Sequence, residues 1–467
     1  MTRADLRIRG GIVVNADGRR TADVIIAGGK IVEIVERGST AHAHRELDAS
    51  GCFVLPGAVD AHVHLDGPPG PEGPGFVDGF LTGTRAAVHG GVTTVGHMSF
   101  SDGDALREVI RRDAERADRD AIIDYVLHPG IYRVTKEALE DIPELARTGA
   151  GTLKLVTLAL DDDGAAHFGD AMAAAGKAGM LTMIHCEDGA IIDHATHALH
   201  DRGRAGLRDY PDSRPVVSES AAIERAVAIA EVAGAPVYIV HLSSARGLEA
   251  VRAARRRGID VSVETRPMYL YLTREAHEQH DGARFIGMPP LRERGDLEAL
   301  WAGIADGSID TVATDHAPWM LRDKVDPSLS LETSRKGTAE LDTFLPLLFD
   351  RGVRTGRIEL ERLVAVTATN PARLLGIHPR KGTLAVGADA DVVIFDPQVT
   401  RTVHAEDLET ASDHSVYEGW SVTGWPRHVL SRGELVFDRG RIPARPGRGR
   451  RLLAGRARTP VDDLRSG

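Results

Sequence analysis

Phe53-Val54-Leu55-Pro56-Gly57-Ala58-Val59-Asp60 is where the chain changes its habit. Before it, short β-rich runs alternate with Gly and Asp turns. After it, apolar runs of strand length are separated by segments of helical period. The strands read from this pattern lie at 53–60, 92–98, 121–128, 152–158, 180–186, 236–242, 259–265 and 309–314. Helices are expected near 77–89, 103–118, 136–148, 166–178, 187–200, 218–233, 245–257 and 295–306, several stopped by Gly, as at Gly90-Gly91, Gly149 and Gly258. Eight βα units in succession imply a parallel sheet, and eight is the number at which such a sheet closes into a barrel.

Outward from this core, both ends of the chain read as β structure. On the N-terminal side, runs around Leu6–Val14, Asp23–Ile26 and Lys30–Val35 flank the turn Asn15-Ala16-Asp17-Gly18. On the C-terminal side, Gly382–Gly387, Asp391–Phe395, Val429-Leu430 and Glu434–Phe437 repeat the pattern. The expected architecture is therefore α/β: a (β/α)8 TIM-type barrel over 53–377, with one small β-sandwich built from 1–52 and 378–467. The last segment, 439–458, is rich in arginine (Arg441, Arg445, Arg448, Arg450, Arg451, Arg456, Arg458) and reads as a solvated arm or subunit contact.

Composition excludes several classes. The 467 residues carry 57 Lys plus Arg against 68 Asp plus Glu, a net charge of −11, which is the wrong sign for a general nucleic-acid binder. Two cysteines, Cys52 and Cys186, make neither a disulfide framework nor a thiolate zinc knot. No apolar run approaches the roughly 20 residues of a membrane span, and no signal-type segment follows Met1. A cytoplasmic protein is expected. The chain does hold 20 histidines, and their positions are informative.

Barrel enzymes carry their chemistry at the C-terminal ends of the strands. Here those ends read Asp60-Ala61-His62-Val63-His64, His97, His128, Lys154 within Thr152-Leu153-Lys154-Leu155-Val156, His185-Cys186-Glu187-Asp188, His241 and Thr314-Asp315-His316. A single strand-end histidine is more often a satisfied core residue. Several converging on one mouth are not. His62 and His64 are two apart and so share a strand face. With His185, His241 and Asp315 they form an imidazole and carboxylate set suited to zinc or a similar divalent ion. Lys154 interrupts an apolar strand, where a bare ammonium is costly unless paired or modified.

His62-Val63-His64, Lys154, His185, His241 and Asp315 together resemble the two-metal form of the amidohydrolase superfamily. Within it the chain is similar to the dihydropyrimidinase and hydantoinase family of cyclic amide hydrolases. The stretches that carry the resemblance are Leu55–Asp66, Thr82–Ala87, Pro289-Pro290-Leu291-Arg292, Thr314–Pro318, Asn370–Arg373 and Pro379–Thr383. The resemblance implies a barrel with a β-sandwich from both chain ends, and two divalent ions, zinc being the expected metal. His62, His64 and Asp315 would hold one ion and His185 and His241 the other. Lys154, carboxylated by CO2, would bridge both. It further implies that water activated between the ions attacks the amide, with Asp315 as catalytic acid and base, and that the protein is a homotetramer.

The chain departs from that family at definite places. The tyrosine expected five residues after the lysine is Ala159, leaving Thr157, Tyr132 or His128 to supply an oxyanion donor. The usual Ser before Pro-Pro is Met288, and the usual Asn-Gly of a later loop is Lys336-Gly337. Met288, Lys336 and Gly337 are the expected substrate contacts. Asp66 stands where dihydroorotases carry an arginine clamp, which argues against dihydroorotate. An allantoinase-like activity and a non-catalytic scaffold are the alternative readings, and retention of all six ligand positions counts against the scaffold. Cys186 is expected to be a small residue behind the site rather than a ligand.

Overall fold

The computed structural model describes residues 4–36, 43–65, 74–101, 104–158 and 162–454. Ala159, Asp66, Arg456 and Arg458 lie outside them. Eight parallel strands form one sheet in sequence order: Ala58–Val63, Val92–Ser101, Asp124–Ile131, Thr152–Val156, Leu181–His185, Val237–Ile239, Val261–Thr265 and Thr311–Val312. They are called barrel strands one to eight. The sheet closes where Val63 bridges His316 in parallel and His64 N donates to the His316 carbonyl at 2.8 Å. With helices between the strands, this is the expected (β/α)8 barrel.

Side-chain alternation sets up the interior. In barrel strand four, Leu153 and Leu155 face the helical layer and join the main apolar core, while Lys154 and Val156 face the central cavity. Barrel strand five does the same: Ile184 packs outward, whereas Leu181 and Met183 pack inward with Met98, Tyr238, Val240 and Leu374. His185 continues that inward row. An apolar plug thus fills the barrel below the polar mouth, as the layered interior of such barrels requires.

The second sheet has eight strands and draws on both chain ends. Its path runs Glu434–Asp438, Ser421–Ser431, Val392–Thr402, Phe53–Pro56, Ala4–Asn15, Gly18–Ala27 and Lys30–Glu36, with Ala43–Asp48 pairing the strand Ala4–Asn15. Its own core contains Ile8, Val24, Ile26, Ile31, Val54, Leu384, Val392, Ile394 and Leu430.

Three expectations are corrected. The run 53–60 is two strands: Phe53–Pro56 pairs with Ala4–Asn15 and Val392–Thr402, and the chain turns at Gly57 before barrel strand one begins at Ala58. A Cβ at Gly57 would lie 2.0 Å from Thr93 Oγ1, so the turn is too tight for any side chain. Gly382–Gly387 forms no strand; Asn15 instead bonds Leu384 through both side-chain atoms, at 3.0 and 2.8 Å. Finally, the segment Arg448–Arg451 is not a free arm, although the Arg450 side chain is exposed. Arg448 donates to the Ile122 and Ser431 carbonyls at 2.8 Å, Arg450 N donates to Asp124, and Arg451 bridges Tyr125. The C-terminal segment is stitched along barrel strand three.

Candidate active site

Strand ends in a closed barrel point at one mouth, and here they bring His62, His64, Lys154, His185, His241 and Asp315 to the lining of one cavity of about 110 Å³. Nε2 of His62 lies 3.3 Å and Nε2 of His64 3.1 Å from Asp315 Oδ1. Possible ligand atoms of these three residues fall within 4.8 Å of one another. Lys154 Nζ lies 3.4 Å from His62 Nε2. On the other side, His185 Nδ1 faces His241 Nε2 at 2.9 Å.

The surrounding acids fix which imidazole nitrogens carry lone pairs. His62 Nδ1 meets Glu264 Oε1 at 2.9 Å, and His185 Nε2 meets Glu187 Oε2 at 2.9 Å. A carboxylate accepts, so those nitrogens carry the protons and the opposite ones turn lone pairs inward. Lone pairs and a carboxylate converging at about 3 Å repel unless a cation sits among them. This donor set, buried and pre-aimed, fits a divalent metal at His62, His64 and Asp315.

Two further observations mark the site. His241 and Asp315 have φ of +40° and +49°, a region that non-glycine residues enter at a cost of about 1–3 kcal/mol. Both are candidate ligands, each held at a strand end by hydrogen bonds: His241 N donates to Glu264, and Arg266 donates to Asp315 Oδ2 at 2.7 Å. Burial would raise the Asp315 carboxyl, but His62, Arg266 and the His64 bond hold it well below the usual carboxylate range. Burial pushes the Lys154 ammonium down to about 8, against the pull of Asp315 and Glu264. An amine brought that near neutrality has a free lone pair for part of the time, which carboxylation by CO2 requires.

Met288, Lys336 and Gly337 line the same cavity, together with the aromatic side chains of Phe76, Phe100 and Tyr132. Tyr132 stacks on Phe100 at 4.1 Å and 18°, and Phe100 lies parallel to His64 at 6.1 Å. Of the three candidate oxyanion donors, only Tyr132 borders the cavity. Thr157 Oγ1 is buried between the His185 and Glu187 carbonyls, and His128 Nδ1 bonds Thr152.

Strand-end placement of His97 and His128 is corrected. Barrel strands two and three keep pairing to Ser101 and Ile131, because Ser99↔Pro129, Phe100↔Gly130 and Ser101↔Ile131 extend the ladder past both histidines. His97 instead accepts from Leu65 N at 3.1 Å, and His316 accepts from Glu340 N while its Nε2 meets Asp78. Cys186 sits in the apolar core, outside the cavity, where burial pushes its thiol up.

What the sequence reading passed over is the layer behind the ligands: Glu264 and Arg266 at the end of barrel strand seven, Glu340, and the pair Glu187–Arg214 at 2.6 Å. A signal was present. Val261-Ser262-Val263-Glu264-Thr265-Arg266 carries two charges in an apolar strand, the same irregularity that singled out Lys154.

The sequence profile of the Amidohydrolase family matches residues 53–436. The chain belongs to the amidohydrolase family. A D-phenylhydantoinase of Escherichia coli O1:K1 is 39% identical over 453 residues, covering 95% of this chain and 97% of that protein. Among solved structures, the dihydropyrimidinase of Brevibacillus agri NCHU1002 superposes with a TM-score of 0.91 at 34% identity, covering 97% of this amidohydrolase and 99% of that chain. An L-hydantoinase (dihydropyrimidinase) from Arthrobacter aurescens gives 0.89 at 29% identity, with 96% and 100% covered.

Proposed function

We propose that this amidohydrolase hydrolyses a C–N bond of a cyclic amide: a dihydropyrimidine, a hydantoin or a related ureide or imide. The observation that carries the reading is the convergence of ring nitrogens of His62, His64, His185 and His241 with Lys154 and Asp315 on one cavity. The similarity to proteins named for hydantoin and dihydropyrimidine hydrolysis supports it. His62, His64 and Asp315 would hold one divalent ion, His185 and His241 the second, and Lys154, carboxylated, both; zinc is the metal proposed. Bound there, two cations supply a water that ionises near neutral pH and a Lewis acid for the amide carbonyl.

The chain's own groups do the rest. Asp315 is anionic, and its Oδ2 is pinned by Arg266, which holds Oδ1 on the His62 and His64 side of the cavity. It takes the proton that water loses as oxygen adds to the carbonyl carbon. As the C–N bond breaks, Asp315 returns that proton to the leaving nitrogen, and the ring opens to a carboxylate and a free amide or ureide nitrogen. Glu264 and Glu187 keep His62 and His185 in the ligating tautomer. Phe76, Phe100 and Tyr132 give the cavity an aromatic lining, and Tyr132 is the tyrosine of that lining, placed to donate its hydroxyl to the developing oxyanion.

The test uses protein reconstituted with zinc and bicarbonate. Opening of dihydrouracil, substituted hydantoins, succinimide, allantoin and dihydroorotate is followed side by side. Turnover of dihydrouracil or a hydantoin is the expected result. Preference for allantoin would move the enzyme to the allantoinase-like reading, and two bound metals with no ring opened would overturn the assignment. The same resemblance supports a homotetramer acting in the cytoplasm, which sedimentation and fractionation read directly. Among the described residues no helix is long and apolar enough to cross a membrane.

A further inference from the structure

Apart from the candidate ligands, the cavity lining among the described residues contains a single charged side chain, Lys336. The loop that carries it is held rigidly. Trp319 Nε1 donates to the Lys336 carbonyl at 3.0 Å, Gly337 N donates to the Ile286 carbonyl at 3.0 Å, and buried Lys324 donates to the Gly337 and Ile286 carbonyls at 2.5 and 2.8 Å. Only the four-carbon arm of Lys336 is free to adjust.

Its ammonium is poorly neutralised. Nζ donates to the Glu332 carbonyl at 2.5 Å. The two acids that face it are engaged elsewhere. Glu332 bonds His200 and Ser330, and Glu187 turns Oε2 to His185 and Arg214. Arg335 and Arg214 lie near the same ammonium, Arg214 being paired with Glu187. Phe76, Phe100 and Tyr132, which line the same cavity, are uncharged. A small ring seated over the candidate ligands therefore meets one cation from outside the ligand set, Lys336, among apolar and aromatic neighbours.

We propose that Lys336 selects cyclic amides whose ring substituent ends in a carboxylate, pairing with that group while the ring lies over His62, His185 and Asp315. This rests on the cyclic-amide reading above and names its substrate class. A lysine suits the task because its compact cation on a flexible stem accepts substituents of more than one length. An ion pair at about 4 Å in a partly buried site is strong enough to be read as a ten-fold or larger preference.

The test compares two hydantoins, one bearing a 5-(2-carboxyethyl) group and one the matching 5-(2-carbamoylethyl) group. They share length and shape and differ in charge. In the wild-type, metal-loaded enzyme the ratio of kcat/KM values should favour the carboxylate by about ten-fold or more, and should shrink as salt is raised. Lys336→Met should bring the ratio close to one, and Lys336→Arg should keep most of it. Were Lys336 merely a partner of Glu187, Lys336→Met would depress both substrates together and leave the ratio unmoved. That result, or equal wild-type values, overturns the proposal. Lys336→Gln, checked by circular dichroism, substitutes if the methionine variant fails to fold. If neither ring is opened, calorimetric binding of the same pair separates the two readings: tighter carboxylate binding retains the role of Lys336 and sinks only the hydrolysis, while equal affinity sinks the role of Lys336.

Discussion

Lys154 shows how a single residue can organise a site. It is the one amine in an otherwise apolar barrel strand, 3.4 Å from His62, with its pKa pushed down to about 8 by burial. If it bridges two metals, Lys154→Ala removes a ligand from both at once. The variant should lose both ions and activity while keeping its fold, as read by metal analysis and circular dichroism; two retained ions would refute the bridge. Glu187 acts one step further back. It aligns His185 and is itself held by Arg214. Glu187→Gln keeps the shape but weakens the charge that orients the imidazole. Metal affinity should fall about 10–100-fold, measured by competition with a chelator, and the thermal midpoint should fall as well, because buried Arg214 loses its carboxylate partner.

At the scale of elements, the loop 335–338 meets the barrel mouth through Gly337. Its φ is +127°, and a Cβ there would lie 2.4 Å from the Ala317 carbonyl oxygen. Ala317 follows directly on the segment Thr314-Asp315-His316, so a side chain at 337 cannot be accommodated without moving either the loop or the strand-end residue. Gly337→Ala should lower kcat/KM by about 10–100-fold, since misplacement of the order of 1 Å at a reacting centre costs that much. Bound metal should stay at the wild-type amount. Loss of metal instead would mean that the shift falls on Asp315 rather than on the loop.

Across the whole molecule, the barrel and the second sheet are clamped by buried charge. Lys381 lies 2.7 Å from Asp124 of barrel strand three and 2.6 and 3.1 Å from Asp391 and Asp389, ahead of the strand Val392–Thr402. Arg432 also pairs with Asp124. Lys381→Met would strand three carboxylates near one another and should cost about 3–5 kcal/mol of stability, seen as a lower thermal midpoint. The clamp also predicts a pH dependence. Burial tends to raise the Asp389 carboxyl, but Lys381, Arg380 and Lys30 bring it below its ordinary value of 3.8. A depressed carboxylate contributes stability above its unfolded pKa and loses it as pH falls through the folded one. Asp389→Asn should therefore be less stable than wild type at pH 7 by about 1 kcal/mol, and the two urea midpoints should approach each other below pH 4. A difference that does not shrink at all as pH falls below 3.8 would assign the loss to packing instead.

Some of this was determined by local order along the chain. Strand alternation puts His62 and His64 on one face, and Lys154 stands out because its neighbours are apolar. Eight βα periods limit the possible sheets to a closed barrel. Those features depend on residues within a few positions of each other, so the sequence alone exposes them. Tertiary structure decided the remainder. Glu264 became the partner of His62 across 202 residues, and Arg266 the anchor of Asp315 across 49. The side chain of Arg448 found the Ile122 and Ser431 carbonyls, and the backbone of Arg450 and Arg451 paired with Asp124 and Tyr125 of barrel strand three. Which groups a buried charge meets is set by how distant strands register when the barrel closes, and no local period encodes that register.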